Sequence, residues 1–278
     1  MPATRRGRLS PEAMFVLGGI AQYSGASIAV RLFDDVRPAT VAWLRVIGGA
    51  AALLAVTGRS AWRGWDRRSF LLAAVFGTAT AAMNLFIYLA FARLDLGKAV
   101  AIEFTGPIVV AVIATRSRRN AGALALAVGG VVLLSQIDFD AVGLAYVLAA
   151  SAMWAGYIVT GHRVARLDRG LGGLAVGLVV GSFVILPFAT PGFGDLGASP
   201  GLVPLCLLVG VLSTAVAYGI DQHVMRRASA RRFAVMQALL PVIAAVMGAV
   251  VLSQLPRPVE YLGIGLILGA VVLQTREA

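Results

Sequence analysis

The chain has 278 residues, of which 59% are apolar and only 13% charged, with 32 glycines and a mean hydropathy of +0.86. Ordinary soluble domains carry about 25% charge, so a chain this poor in charge has too few polar residues to cover a water-facing surface. Its formal net charge of +11 fits either a nucleic-acid binder or a membrane protein with basic loops on one side, and the placement of that charge decides between them.

In chain order, ten apolar stretches suit a hydrocarbon core of about 30 Å. They are Ala13–Val30, Pro38–Thr57, Phe70–Ala92, Ala99–Thr115, Ala121–Gln136, Gly143–His162, Leu171–Thr190, Leu202–Arg226, Phe233–Leu252 and Glu260–Gln274. The sequence therefore predicts an all-α membrane protein with ten transmembrane helices in a lipid bilayer. Arg5, Arg6 and Arg8 precede the first stretch as in a signal peptide, but Gly18–Val30 offers no convincing cleavage site, and the stretch reads as a retained span. If the spans alternate, eighteen basic residues fall on one side: the N-terminal three, Arg59, Arg63, Arg67, Arg68, Arg116, Arg118, Arg119, Arg163, Arg166, Arg169, Arg226, Arg227, Arg231, Arg232 and Arg276. Five, namely Arg31, Arg37, Arg93, Lys98 and Arg257, fall on the other, with the acidic loop Asp138–Asp140. This asymmetry predicts an N-in, C-in multi-pass protein of the cytoplasmic (inner) membrane. Positive charge spread over short loops, without interleaved aromatics, excludes nucleic acid as a partner. The single cysteine, Cys206, lies within Pro204–Leu208; it forms no internal disulfide and reads as a packed thiol.

A weak internal repeat appears when the chain is shifted by 134 residues: Ala99–Pro107 overlies Phe233–Pro241, setting Glu103 over Gln237 and Pro107 over Pro241. The same shift sets Tyr23 over Tyr157 and Asn84 over Tyr218. The chain then divides into residues 1–136 and 137–278, each with five spans. An odd number per half inverts the second half, the architecture of many secondary transporters with sites at the repeat interface. An ancient duplication with structural meaning only is the alternative.

Ionisable groups inside spans are costly, about 2.5–3.5 kcal/mol at a helix centre on insertion scales, so each needs a reason. Glu103 and Arg45 enter their spans from the same side to similar depth. Glu103 is a candidate for a substrate ammonium or a proton, and Arg45 for a substrate carboxylate or for tuning the glutamate; a structural salt bridge is the competing reading. Pro107 removes the hydrogen bond to the Glu103 carbonyl and Gly106 permits a bend, so carboxylate, carbonyl and the Thr105 hydroxyl could converge at a helix break. Gln237 and Pro241 form the neutral counterpart. Asp221 is either a proton relay at the basic side or a partner for the nearby arginines. Asn84, Tyr23 and Tyr157 are buried polar candidates for a cavity wall or for helix-to-helix hydrogen bonds. No metal-ligand spacing, phosphate loop or nucleophile elbow is present, so neither cofactor nor metal is expected. Gly173, Gly177 and Gly181, and Gly265 and Gly269, permit close helix approach within one chain or across a homodimer.

Glu103-Phe-Thr-Gly-Pro107, Trp154-Ala-Gly-Tyr-Ile-Val-Thr-Gly-His-Arg163 and Ser213-Thr-Ala-Val-Ala-Tyr218-Gly-Ile-Asp221 resemble the EamA-type carriers of the drug/metabolite transporter superfamily, in particular their threonine/homoserine exporter branch. The resemblance covers essentially the whole chain. It implies ten spans in two inverted halves, export of small metabolites such as amino acids, and proton antiport, and it adds weight to Glu103 and Asp221. Where that branch has a glutamate before Pro241 this chain has Leu240, and where it reads Leu-Gly-Glu this chain has Leu252-Ser-Gln254, which leaves Glu103 as the main proton candidate. Competing readings are a carrier of a drug, sugar or nucleotide, a membrane-embedded enzyme and a passive channel. An enzyme would need a cluster of acids, histidines or nucleophiles, and none is visible.

Overall fold

The computed structural model of the protein describes residues 10–114, 117–135, 140–165, 170–225, 236–237 and 239–275, which are helical with short connections and contain no strand. The helices are α1 (Pro11–Leu32), α2 (Pro38–Thr57), α3 (Arg67–Phe91), α4 (Leu96–Glu103), α5 (Thr105–Ala114), α6 (Arg118–Ser135), α7 (Ala141–Ala165), α8 (Gly170–Ala189), α9 (Phe193–Ala198), α10 (Leu202–Gly210), α11 (Ala217–Met225), α12 (Leu240–Leu252) and α13 (Pro258–Thr275). A π-helical segment, Val211–Val216, joins α10 to α11.

Local chemistry sets many of these ends. The Ser10 hydroxyl accepts from the Ala13 N–H at 3.2 Å and Pro11 opens α1, while Asp66 Oδ1 accepts from the Ser69 N–H at 2.8 Å at the start of α3. Both satisfy amides that a helix start leaves without partners. At the end of α12, Ser253 adopts a left-handed conformation with φ 60°, a conformation that favours glycine.

Six stretches are long and apolar enough to cross a membrane: Pro11–Leu32, Pro38–Trp62, Arg67–Phe91, Ala141–Gly161, Leu171–Ala198 and Leu202–Ile220. Three of the four other predicted spans differ for identifiable reasons, and the tenth is a shorter apolar helix, Pro258–Leu273. The fourth is broken at Phe104 into α4 and α5, the fifth starts on Arg118 and Arg119, and the ninth is 13 residues long, opening with Pro241 in its first turn. Exposed Ile113, Phe183, Val250 and Leu262 form an apolar exterior suited to lipid rather than water.

Packing is largely between residues distant in sequence. Helix α3 lies against α7 and α8, α2 against α8 and α10, α1 against the α10–α11 unit and α12, α4 against α12, and α6 against α13. Two crossings bring backbones together. A Cβ on Gly77 would lie 1.9 Å from the carbonyl of Gly177, and one on Gly210 would lie 2.1 Å from the Arg45 carbonyl oxygen. Glycine at both positions lets helices approach more closely than any side chain allows.

Cross-chain ties gather on the face bearing the 33–37, 92–95 and 253–257 connections. Arg37 pairs with Asp195 at 3.7 Å, Arg93 with Asp140 at 2.9 Å, and Lys98 with Glu260 at 3.9 Å. Asp140 also accepts from the Gly143 N–H at 2.7 Å. That bond and the Arg93 bond hold its carboxyl below the ordinary carboxylate range. A depressed folded pKa contributes stability that is present above the unfolded value and lost as pH falls through the folded one. Asp140→Asn is therefore expected to lower the thermal midpoint slightly at pH 7, and the difference from wild type should shrink as pH falls through the lowered pKa of Asp140, followed by melting in detergent.

Candidate functional site

Glu103 is the last residue of α4, the eighth from its start, and Arg45 is the eighth residue of α2. At 1.5 Å per residue both lie about 10 Å along their helices from the same face. Both are buried, at 8% and 4% exposure. They do not form the salt bridge of the competing reading: the described pairs are Arg37–Asp195, Arg93–Asp140 and Lys98–Glu260. Among the described residues no side-chain hydrogen bond engages the Glu103 carboxyl.

The chain around Glu103 explains why it is held apart. Phe104 ends α4 and α5 restarts at Thr105, so Pro107 falls in the first turn of the new helix, where its missing N–H costs least. Gly106 sits so close to α7 that a Cβ there would lie 2.2 Å from the Ser151 carbonyl oxygen. The Thr105 hydroxyl donates to the Ile102 carbonyl at 2.8 Å or shares its proton with Ser151 Oγ at 2.9 Å. This corrects the expected convergence: Thr105 is committed to α4 and α7, so the Glu103 carboxyl is offered without it.

Arg45 is held by groups the sequence did not single out. Its guanidinium carbon lies 5.0 Å from the centre of the Tyr88 ring, a cation–π distance. Its Nη2 donates to the Ser213 carbonyl in the π-helical segment at 3.4 Å, and its Nε has no acceptor. The Tyr88 and Thr214 hydroxyls are likewise buried without a geometric partner. A buried cation with a free N–H and no carboxylate against it is poised for an anionic group.

Aromatic rings join these elements. Phe104 meets Trp154 edge-on at 4.7 Å, Phe76 stacks on Tyr157 at 4.7 Å, and Tyr157 stacks on Tyr218 at 6.5 Å. Tyr157 thus bridges α3, α7 and α11. Tyr23 is buried in α1 at 4% exposure. Asn84 is buried in α3 and donates to the Thr80 carbonyl at 2.8 Å, leaving its Oδ1 unmatched. Gln237 is half-buried and Pro241 buried at the start of α12, one turn beyond. The side chain of Asp221 lies outside the described residues. Among the described residues no group of His, Cys, Asp and Glu could hold a metal. Tyr88 and Ser213 escaped notice because tyrosine and serine are unremarkable in an apolar helix; Ser213 lay within a family-like stretch, while Tyr88 carried no signal.

The chain is 32% identical over 266 residues to the threonine/homoserine exporter RhtA of Escherichia coli (strain K12), covering 94% of this chain and 89% of that protein. It is 33% identical over 253 residues to the exporter of the same name from Salmonella typhimurium (strain LT2), covering 89% and 85%. Residues 141–276 match the EamA-like transporter family. The chain belongs to this family. A solved crystal structure, 19% identical, superposes with a TM-score of 0.60 over 97% of this chain and 99% of its own, a likeness of fold alone. In this EamA-like transporter the family match covers α7 onward, while Glu103 and Arg45 lie in the half before it.

Proposed function

We propose that the protein exports small amino acids of the threonine/homoserine type across the bacterial inner membrane, by proton-coupled alternating access around Glu103 and Arg45. One observation carries this reading: an acid and a base are buried at equal depth on separate helices, unpaired with each other, as the two charges of a zwitterion require. Arg45 takes the carboxylate, and Glu103 takes either the ammonium or a proton. The neighbouring aromatic faces favour a cation. The exporter names of its relatives supply the cargo.

Ten spans in two inverted halves underlie the cycle. Support comes from the packing, which follows the symmetry that a duplication would impose. The second span meets the seventh (α2 with α8), the fourth meets the ninth (α4 with α12), and the fifth meets the tenth (α6 with α13). The first meets the eighth as the third meets the sixth. A family match half the chain long, beginning at α7, fits the same division. Both termini then lie in the cytoplasm, in line with the basic loops. Tyr23, Asn84, Tyr157 and Gln237 line the route, and Asp221 stands at its cytoplasmic end.

The test is mass spectrometry of the medium from amino-acid-fed cells with and without the protein. Threonine or homoserine should accumulate outside only when it is present, and faster with an inward proton gradient. Equal accumulation in both cultures would remove the amino-acid assignment. Within this reading Arg45→Lys keeps the charge but loses the planar fork and its stacking on Tyr88. Its apparent KM is expected to rise about tenfold to a hundredfold, the scale of a hydrogen bond to a charged group, measured by concentration-dependent efflux from vesicles.

A further inference from the structure

Beside Arg45 stands a hydroxyl that packing does not explain. Thr214 lies in the π-helical segment Val211–Val216 at 1% exposure, and its Oγ1 has no hydrogen-bond partner. Threonines in the regular helices behave differently: Thr57, Thr80 and Thr160 each donate to the carbonyl four residues before them, at 2.7, 2.8 and 2.7 Å. A π-helical turn is wider than an α-helical one and moves that carbonyl out of register with the side chain. A buried, unmatched hydroxyl costs stability, whereas a valine of the same shape would fill the space without that cost.

The contacts of the segment place this hydroxyl close to the guanidinium. The segment and the residue before it run across a single turn of α2. A Cβ on Gly210 would lie 2.1 Å from the Arg45 carbonyl oxygen and 2.7 Å from the Gly49 nitrogen, and a Cβ on Gly49 would lie 2.7 Å from Thr214 Cβ and 3.3 Å from its Oγ1. Arg45 and Gly49 are four residues apart, so they share one face of α2 about 6 Å apart along its axis. Ser213 accepts from Arg45 Nη2 with its carbonyl, and its own hydroxyl donates to the Gln22 carbonyl of α1 at 2.9 Å. The Ser213 hydroxyl is therefore committed to α1. That of Thr214 is uncommitted, one turn of α2 from a guanidinium whose Nε is also unmatched. Threonine carries its hydroxyl on the β-carbon and homoserine on the γ-carbon, so a substrate whose carboxylate sits on Arg45 brings its hydroxyl into this range.

We propose that Thr214 is a specificity-determining residue whose hydroxyl pairs with the side-chain hydroxyl of the amino acid held by Arg45. The inference deepens the export reading above and rests on it. A hydroxyl both donates and accepts, so it matches a neutral hydroxyl, while the two charges of the substrate go to Arg45 and Glu103. An analogue without the hydroxyl leaves Thr214 unmatched and gains nothing there, which is how sites built to read a hydroxyl discriminate. Thr214 and Arg45 are enclosed in this structure, so the substrate reaches them as α2 and the π-helical segment part during alternating access.

The experiment measures binding of L-threonine and of L-valine to the full-length protein in lipid nanodiscs by titration calorimetry. Valine puts a methyl where threonine has its hydroxyl, so the ratio of the two affinities isolates that group. Wild type is expected to prefer threonine by about tenfold to a hundredfold. Thr214→Val should bring the ratio within about threefold by weakening threonine alone, with the thermal midpoint unchanged or raised because an unmatched buried hydroxyl is removed. Thr214→Ser keeps the hydroxyl and should keep the preference. An undiminished preference in Thr214→Val, or equal weakening of both amino acids, would overturn the assignment. Equal affinity of wild type for the two would overturn it as well, while leaving amino-acid export standing. Binding of neither amino acid by wild type would remove the amino-acid cargo itself, and the role of Thr214 with it.

Discussion

Glu103→Gln is expected to reduce gradient-driven export to the background of cells lacking the protein, while the amount of folded protein in the membrane stays near wild type. The two halves of this expectation have separate causes. Glutamine is nearly isosteric, and no described ion pair or side-chain hydrogen bond is lost with the charge. An uncharged group is also cheaper to bury within a span, so packing around α4 should survive. Coupling, by contrast, needs a group that takes up and releases a proton, and an amide does neither. Efflux from proteoliposomes with and without an imposed pH gradient checks this: wild type should respond to the gradient and Glu103→Gln should not. An unchanged response would make Glu103 structural and move the proton to another residue.

Gly77→Ala is expected to destabilise the folded protein by more than about 3 kcal/mol, above the usual 1–3 kcal/mol for overpacking. The added Cβ would stand 1.9 Å from the Gly177 carbonyl carbon and oxygen. These are backbone atoms in the middle of α8, so no side chain can swing aside and the helices must separate. Separation would loosen α3, which carries both Asn84 and Tyr88. The control is Gly129→Ala in α6, where a Cβ meets nothing within 4 Å and should be neutral or mildly stabilising through better helix propensity. Thermal stability by size-exclusion chromatography in detergent should separate the two variants clearly. Matching midpoints would refute the close crossing of α3 and α8.

Helix positions were legible because hydrophobicity and end signals are local. Pro38 opens the second span in the sequence as it opens α2 in the structure. The break after Glu103 was legible too, since proline and glycine act on their own backbone. The fate of Thr105 was not, because its partner Ser151 is 46 residues away. Lys98 and Glu260 read as a loop cation and a helix-start acid, each with an ordinary local role. Only their burial against one another sets them apart.

By itself, the sequence determined that this is a helical membrane protein, where its helices run, and which two charges lie deep inside it. These follow from composition, periodicity and the cost of burying charge, all of which act on residues near one another along the chain. Tertiary structure decided the partners. It separated Arg45 from Glu103, set the guanidinium over Tyr88 beside the π-helical segment, and joined α4 to α13 through Lys98 and Glu260. Those outcomes depend on how closely helices cross, and that distance is set by which glycines face one another once the chain has folded.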